Sequence, residues 1–165
     1  MNVLDYIAGP SHNGKPAWKD IWLSMTINSI NCDSIDDVVE EWKDTVNKIG
    51  FQFHTPFVKG DLLMLPFGKK RDEVVNKLIA LHYKYPKFVI NNEKQLLLMK
   101  GKWGGVGTIP VQCPSWAILS MDHMGRVKQP CCIGSAAGRN SAKPICEDCG
   151  LGCYSILVTH GIKGA

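Results

Sequence analysis

Apolar and polar positions alternate along the first hundred residues in a way that predicts strands and helices in turn. The segment 22–30 (WLSMTINSI) is rich in β-branched and aromatic residues, which predicts a buried strand. In residues 34–50, apolar side chains recur at a spacing of about 3.6 residues, which predicts a helix with Ser34 as its N-cap and Gly50 as its stop. The segment 51–57 (FQFHTPF) then alternates as a second strand would.

The alternation continues after this first unit. Apolar spacing predicts a second helix from about Lys69 to Tyr83, a third strand over 87–92 (KFVINN) and a short helix over 93–101 (EKQLLLMKG). Strands and helices in this order are typical of βαβ units with a parallel sheet. We therefore predict an α/β fold containing a partial parallel (βα) barrel. Three basic residues are expected to form the solvated start of the second helix: Lys69, Lys70 and Arg71.

Polar side chains follow the first two predicted strands. Asn28 and Asn31 lie at the end of the first strand, and His54 lies near the end of the second. In parallel α/β folds, the chemistry gathers at the carboxyl ends of the strands. These residues are therefore candidates for ligand binding, with loop-capping asparagines and a structural histidine as the alternatives.

Cysteine is concentrated late in the chain. Six of the seven cysteines fall within residues 113–165, and the glycine-rich run 101–107 (GKWGGVG) precedes them. We therefore predict one domain over residues 1–100 and a cysteine-rich module over 101–165. The six cysteines follow the spacing Cys113-x17-Cys131-Cys132-x13-Cys146-x2-Cys149-x3-Cys153. A C-x2-C turn brings two thiolates to one ion or cluster, so these six residues are candidate metal ligands.

Iron–sulfur and zinc are the two metal alternatives. A structural zinc site usually has two cysteine or histidine knuckles, whereas this chain has one knuckle, Cys146/Cys149. Iron–sulfur clusters accept cysteines from more distant loops, which favours them here. A set of buried structural thiols is the non-metal alternative. Thiol-redox chemistry is disfavoured, because redox C-x2-C motifs usually open a helix directly after a first strand. Cys32 is expected to be an ordinary buried or loop cysteine.

A hairpin is predicted within the cysteine-rich module. Residues Asp122 to Gly125 are expected to form its turn, and 127–132 (VKQPCC) its returning strand. This hairpin would carry Cys131 and Cys132 back toward Cys113.

The bulk composition excludes several classes of protein. A hydrophobic content of 45% and a charged content of 21% are those of a globular protein. The net charge of +4 comes from scattered basic residues, which does not favour nucleic acid as a partner. No apolar run approaches the roughly 20 residues that a membrane span needs, and the first residues do not form a secretory signal. We therefore expect a cytoplasmic protein whose thiols meet a reducing environment.

With these motifs in order, the sequence resembles the C-terminal half of radical S-adenosylmethionine (radical SAM) proteins that carry a SPASM or twitch-like extension. The segment 9–20 (GPSHNGKPAWKD) is similar to the loop after the fourth barrel strand, 25–31 (MTINSIN) to the fifth strand and 51–57 to the sixth. The cysteines and the turn at Gly125 then follow in the family's order. The family's C-x3-C-x2-C motif, which binds the SAM-cleaving cluster, is absent from this chain.

The resemblance implies an auxiliary 4Fe–4S cluster, held first by Cys113, Cys131, Cys146 and Cys149, with Cys132 and Cys153 as further candidates. It also implies that Asn28, Asn31 and His54 contact S-adenosylmethionine, provided that the missing N-terminal half is present. The chain would then be a truncated or split piece, inactive alone, whose partners are the missing half or a companion chain and an unknown peptide or small-molecule substrate. The alternative function is a non-catalytic zinc-binding interaction module.

Overall fold

The computed structural model describes residues 21–100, 117–129, 131, 133, 135–136, 144–150, 155 and 159–160. The elements before residue 100 are β1 (Trp22–Ile27), α1 (Ile35–Trp42), β2 (Lys48–Phe53), α2 (Lys69–Lys84) and α3 (Glu93–Leu98). The later ones are β3 (Lys128–Gln129), β4 (Ser135–Ala136) and a short 3₁₀ turn, Cys146–Asp148. The predicted loop over 9–20 and the predicted boundary at residue 101 lie outside the described residues.

β1 and β2 form a parallel pair connected by α1, which is a complete βαβ unit. The register runs from Trp22 opposite Lys48 to Ile27 opposite Phe53. Every second side chain of β2 is buried, because successive residues of a strand face opposite sides of the sheet. These side chains share one apolar cluster with residues of α1, α2 and α3, including Ile35 and Val39 of α1. Parallel α/β pairing is therefore present, while the partial barrel stays a prediction.

The boundary between α1 and β2 differs from the sequence-based prediction. The predicted helix over 34–50 ends at Trp42, and β2 begins at Lys48 rather than at residue 51. Pairing with β1 draws these residues into the sheet and overrides their helical spacing. Gly50, predicted as the helix stop, is a strand residue instead. A Cβ there would lie 3.0 Å from Cδ1 of Ile90, so glycine permits close packing across the sheet.

The predicted third strand over 87–92 is reduced to a single parallel bridge between Ile49 and Val89. Beyond that bridge, the side chain of Asn91 bonds β2 in place of a strand backbone. Its Oδ1 accepts a 2.7 Å hydrogen bond from the N–H of Phe51, and its Nδ2 donates to the carbonyl of Phe51 at 3.0 Å. The predicted strand ends early because a side-chain amide has taken the place of its next backbone pair.

The two later helices lie close to their predicted positions. α2 begins at Lys69 as predicted and ends at Lys84. α3 ends at Leu98, three residues before the predicted end, and begins at a capping box. In that box the side chain of Asn92 accepts from the N–H of Gln95, and the side chain of Gln95 accepts from the N–H of Asn92.

The predicted hairpin turn is present among the late residues. The N–H of Gly125 donates to the carbonyl of Asp122 at 3.0 Å, and Gly125 has a φ of 74°, which suits glycine. An antiparallel bridge joins Met121 to Val127, and β3 then pairs with β4.

In the part of the chain that the structure describes, no helix has both the length and the apolar character needed to cross a membrane.

Candidate metal–thiolate site

The turn that carries Cys146 and Cys149 packs directly on the carboxyl end of β2. The N–H of Phe53 donates to the carbonyl of Gly150 at 2.7 Å, and the N–H of Ile145 donates to the carbonyl of Pro56 at 2.8 Å. Both hydrogen bonds join the late segment to residues nearly a hundred positions earlier. Two candidate ligands are therefore held at the end of the parallel strands, where α/β folds place their chemistry.

The turn completes a series of contacts along one edge of β2. Three alternate residues of that edge bond successive partners: Ile49 bonds the chain around Val89, Phe51 bonds the side chain of Asn91, and Phe53 bonds Gly150. Alternate residues point their backbone groups to the same side of a strand. The cysteine turn thus occupies the position that a longer third strand would have filled.

Gly150 is required by this close approach. A Cβ at this position would lie 2.3 Å from the carbonyl oxygen of Phe53 and 2.5 Å from its carbonyl carbon. Both are backbone atoms that cannot move aside without disturbing β2. Gly150, the first of the two glycines between Cys149 and Cys153, is therefore a packing residue of the site.

Thr55 connects β2 to Cys149. Its hydroxyl accepts a 2.8 Å hydrogen bond from the N–H of Gly150 and donates toward Sγ of Cys149 at 3.9 Å. The threonine is 5% exposed, and Cys149 is half-buried. Hydrogen bonds to ligating sulfur are one of the ways in which proteins tune metal–thiolate centres.

Arg71 corrects the prediction that the start of α2 is solvated. Lys69 and Lys70 are exposed, as predicted, but Arg71 has no exposed surface at all. Its guanidinium carbon lies 4.1 Å from the ring centroid of Phe53 and 4.1 Å from that of Phe67. Such stacking is typical of arginine, whose planar cation is only weakly hydrated.

The polar contacts of Arg71 leave one nitrogen without an acceptor. Its Nε donates to the carbonyl of Met99 at 3.0 Å, and one Nη donates to the carbonyl of Leu65 at 3.3 Å. The second Nη finds no hydrogen-bond acceptor among the described residues. Burial lowers the pKa of Arg71 to about 10, and the negative charges of Cys149 and Asp148 oppose that lowering. The charge of Cys149 therefore acts on this buried cation.

Cys131 and Cys146 are near enough for their charges to interact. The pKa of Cys146 is raised, first by desolvation and then by the charges of Cys131 and Glu147. Loss of hydration is the main reason that Cys146 resists ionisation, and repulsion from the charge of Cys131 adds to that penalty. A metal ion between them would remove that penalty, because thiolate ligands lose their protons on binding.

The described residues do not complete a set of ligands. Among them, no three histidine, cysteine, aspartate or glutamate side chains lie together in a group able to hold a metal ion. The remaining predicted ligands lie outside the described residues: Cys113, Cys132 and Cys153. The structure describes three of the six predicted ligands, Cys131, Cys146 and Cys149. The hydroxyl of Thr55 donates toward Cys149, and the charge of Cys149 acts on the buried Arg71. That chemistry fits an anionic metal–thiolate centre.

The two predicted cofactor-binding asparagines bond within their own loop. Oδ1 of Asn28 accepts from the N–H groups of Ile30 and Asn31, at 2.9 and 3.0 Å. Oδ1 of Asn31 accepts from the N–H of Asn28 at 2.8 Å, and its Nδ2 donates to the carbonyl of Thr26 at 3.0 Å. These bonds fix the loop after β1, which is the alternative role weighed for them.

His54 pairs with an acidic residue from the following loop. Its Nε2 lies 2.8 Å from Oδ2 of Asp61, and its backbone N–H donates to the carbonyl of Ile27. The pKa of Asp61 is lowered, first by the hydrogen bond from His54 and then by that from the N–H of Leu63.

Cys32 is 3% exposed within the apolar core, which confirms the expectation of an ordinary buried cysteine.

Sequence reasoning found the cysteines but not Arg71 as a residue of the site. The signal available was weak, because a basic triplet at a helix start is usually solvated.

No protein-family model, no curated protein and no solved structure matches this chain. The resemblance to radical SAM proteins therefore rests on the residues quoted for it above.

Proposed function

We propose that this chain holds an iron–sulfur cluster through its late cysteines. The observation that carries the proposal is the packing of the Cys146–Gly150 turn on Phe53 at the end of β2, whose ring also stacks on the buried cation of Arg71. Sulfur ligands, a hydroxyl donor and a nearby cation are the features by which proteins hold and tune clusters. A reducing cytosol, which we propose as the location, would keep these thiols available for ligation.

The enzymatic context of the cluster is the second part of the proposal. The chain would supply the later strands of a radical SAM-type enzyme, with its own cluster serving as the auxiliary 4Fe–4S centre. Support comes from the parallel pairing of β1 and β2 and from the position of the cysteine turn at their carboxyl ends. Bound iron–sulfur clusters supply electron transfer or a point of attachment for substrate. This chain's own residues would hold, orient and shield the cluster.

A cysteine substitution experiment tests the cluster directly. The chain is purified without oxygen, reconstituted with ferrous iron and sulfide, and analysed for iron, sulfide and zinc per chain. We expect a brown protein with matching iron and sulfide contents, and loss of both in C146S and C149S. C32A is the matched control, because Cys32 is buried in the apolar core and its Sγ bonds the carbonyl of Ser29, and it should keep its iron.

The outcomes of this experiment separate the candidate functions. A colourless protein that holds zinc through Cys146 and Cys149 would overturn the iron–sulfur proposal and support the zinc-binding interaction module. Protein that retains neither metal would overturn both. Iron retained equally by C146S, C149S and the wild type would show that the turn does not ligate.

A further inference from the structure

Burying the cation of Arg71 is unfavourable, and its hydrogen bonds to uncharged groups do not compensate the loss of hydration. Removing a cation from water is unfavourable unless opposite charge and hydrogen bonds compensate it. Arg71 is completely buried, and its hydrogen bonds go to two uncharged carbonyl groups, those of Met99 and Leu65. One Nη nitrogen has no acceptor among the described residues. Within the part of the chain that the structure describes, this positive charge therefore has spare bonding capacity.

The position of this charge relates it to the cysteine turn. The guanidinium lies over the ring of Phe53, with 4.1 Å between its carbon and the ring centroid. The backbone N–H of the same Phe53 bonds the carbonyl of Gly150, which directly follows Cys149. The ring thus lies against the guanidinium, while the backbone of the same residue binds the turn. The charges of Cys149 and Asp148, which belong to that turn, act on Arg71.

We propose that Arg71 is the charge-compensating residue of the metal–thiolate site. Its guanidinium offsets the negative charge that the ligating thiolates and their cluster bring to the carboxyl end of β2. This inference rests on the proposed function, because it assigns Arg71 a role toward the cluster held there. Arg71 is a positioning and tuning residue, since the sulfur ligands and not the arginine would contact the iron.

Charge compensation has a measurable consequence that a packing role does not have. Reduction adds one negative charge to a cluster, and a nearby buried cation stabilises that reduced form. The cation therefore raises the reduction potential of the cluster. That potential depends on nearby charge, on hydrogen bonds to sulfur and on solvent exposure. A residue that only tied α2 to Met99 and Leu65 would change the stability of the fold and leave the potential of the loaded protein unmoved.

The experiment compares R71M with K69M on the full chain loaded with iron and sulfide. Both variants remove one positive charge from the first turn of α2, but the side chain of Lys69 is 92% exposed. The midpoint potential is measured by dithionite titration followed by electron paramagnetic resonance, and iron per chain is measured beside it. We expect R71M to shift to a lower potential and to lose iron several-fold faster to a chelator. K69M should match the wild type, and R71K, which keeps the charge, should remain close to it.

The possible failures are distinguishable. Loaded R71M with the potential and iron retention of the wild type would overturn the role of Arg71 while leaving the proposed function intact. A wild-type chain that takes up no iron would overturn the proposed function itself. If R71M does not fold, R71Q replaces it, because glutamine is neutral yet keeps an N–H donor for a carbonyl. An unchanged potential in R71Q would overturn the proposal in the same way.

Discussion

The N–H of Gly150 donates a 2.8 Å hydrogen bond to Oγ1 of Thr55, across 95 positions of sequence. Together with the bond between Phe53 and Gly150, it fixes the cysteine turn to the end of β2. The turn therefore depends on the parallel strands for its position. Substitutions in β2 and in the turn should consequently affect the same property, the geometry around Cys149.

Gly150→Ala is expected to displace the turn from β2. The new Cβ would lie 2.3 Å from the carbonyl oxygen of Phe53, so one of the two backbones must move. Forcing a group into such a packed contact costs about 1–3 kcal/mol of unfolding free energy. Urea denaturation of the metal-free protein measures that loss, and metal analysis should show reduced iron in the reconstituted variant.

Gly60→Ala is the comparison for that prediction. Gly60 has a φ of 75°, but a Cβ added there would meet no atom within 4 Å, so its substitution strains the backbone without a clash. A cost of about 1–2 kcal/mol is expected from the left-handed conformation. Iron uptake should remain that of the wild type. Equal loss of iron in both variants would refute a specific role for Gly150.

Thr55→Val should destabilise the protein by about 1–3 kcal/mol, because it leaves the buried N–H of Gly150 without its acceptor. Valine has nearly the same shape, so the effect isolates the hydroxyl. Thr26→Val serves as the control. Thr26 is exposed on β1, where its hydroxyl bonds the side chain of Gln52, and a change within about 0.5 kcal/mol is expected. Urea denaturation curves of the two variants test the contrast, which similar losses would contradict.

Asn91→Leu is expected to cost about 1–3 kcal/mol, since the N–H and carbonyl of Phe51 both lose their partner within the core. Asn76→Leu removes an asparagine from the exposed face of α2, where its side chain bonds Lys100. That control should change stability by about 0.5 kcal/mol or less. Hydrogen exchange at the amide of Phe51 gives a local measurement: its protection should fall in the Asn91 variant alone. Unchanged protection there would contradict the assigned role.

The hairpin turn should keep its charge pair well into acid. The pKa of Asp122 is lowered from 3.8 to about 2, first by the hydrogen bond from Arg126 and then by its backbone N–H. Because the folded-state pKa is the lower one, the stabilisation is fully present above pH 3.8 and is lost as the pH falls through about 2. Carbon NMR of the Asp122 carboxyl group should report this titration.

Arg126→Gln should raise that pKa toward 3.8, because it removes the first cause of the lowering. The N–H groups of Met124 and Arg126 still bond the carboxylate, so the return should be partial. Lys59→Gln removes the same charge from an exposed position elsewhere and should leave the titration unchanged. A titration of Asp122 that does not move in the Arg126 variant would show that the pair does not set its pKa.

Local signals in the sequence were sufficient for several elements. The N-cap signal at Ser34 predicts where α1 begins, apolar spacing predicts where α2 begins, and the Asp122–Gly125 turn follows from its turn residues. These features depend on contacts between near neighbours, which a sequence displays directly. The cysteine spacing likewise identifies Cys146 and Cys149 as a pair, because both lie within one short turn.

The start of β2 and the shortening of the third strand could not be predicted from local signals in the sequence. Lys48 belongs to β2 because Trp22 pairs with it, and the chain near Val89 forms one bridge because the side chain of Asn91 takes the next position. Both outcomes are decided by partners that are distant in sequence. Helical spacing in one segment carries no information about such partners.

The sequence by itself determined that this chain alternates strands and helices and gathers its thiols in one late region. The tertiary structure decided where the Cys146–Gly150 turn of that region rests, on the end of β2, and it decided that Arg71 is buried while its neighbours Lys69 and Lys70 are solvated. The physical reason is that burial of a charge depends on all of the surfaces that close around it. For Arg71 those surfaces come from Phe53, Leu65, Phe67 and Met99, which only the folded chain brings together.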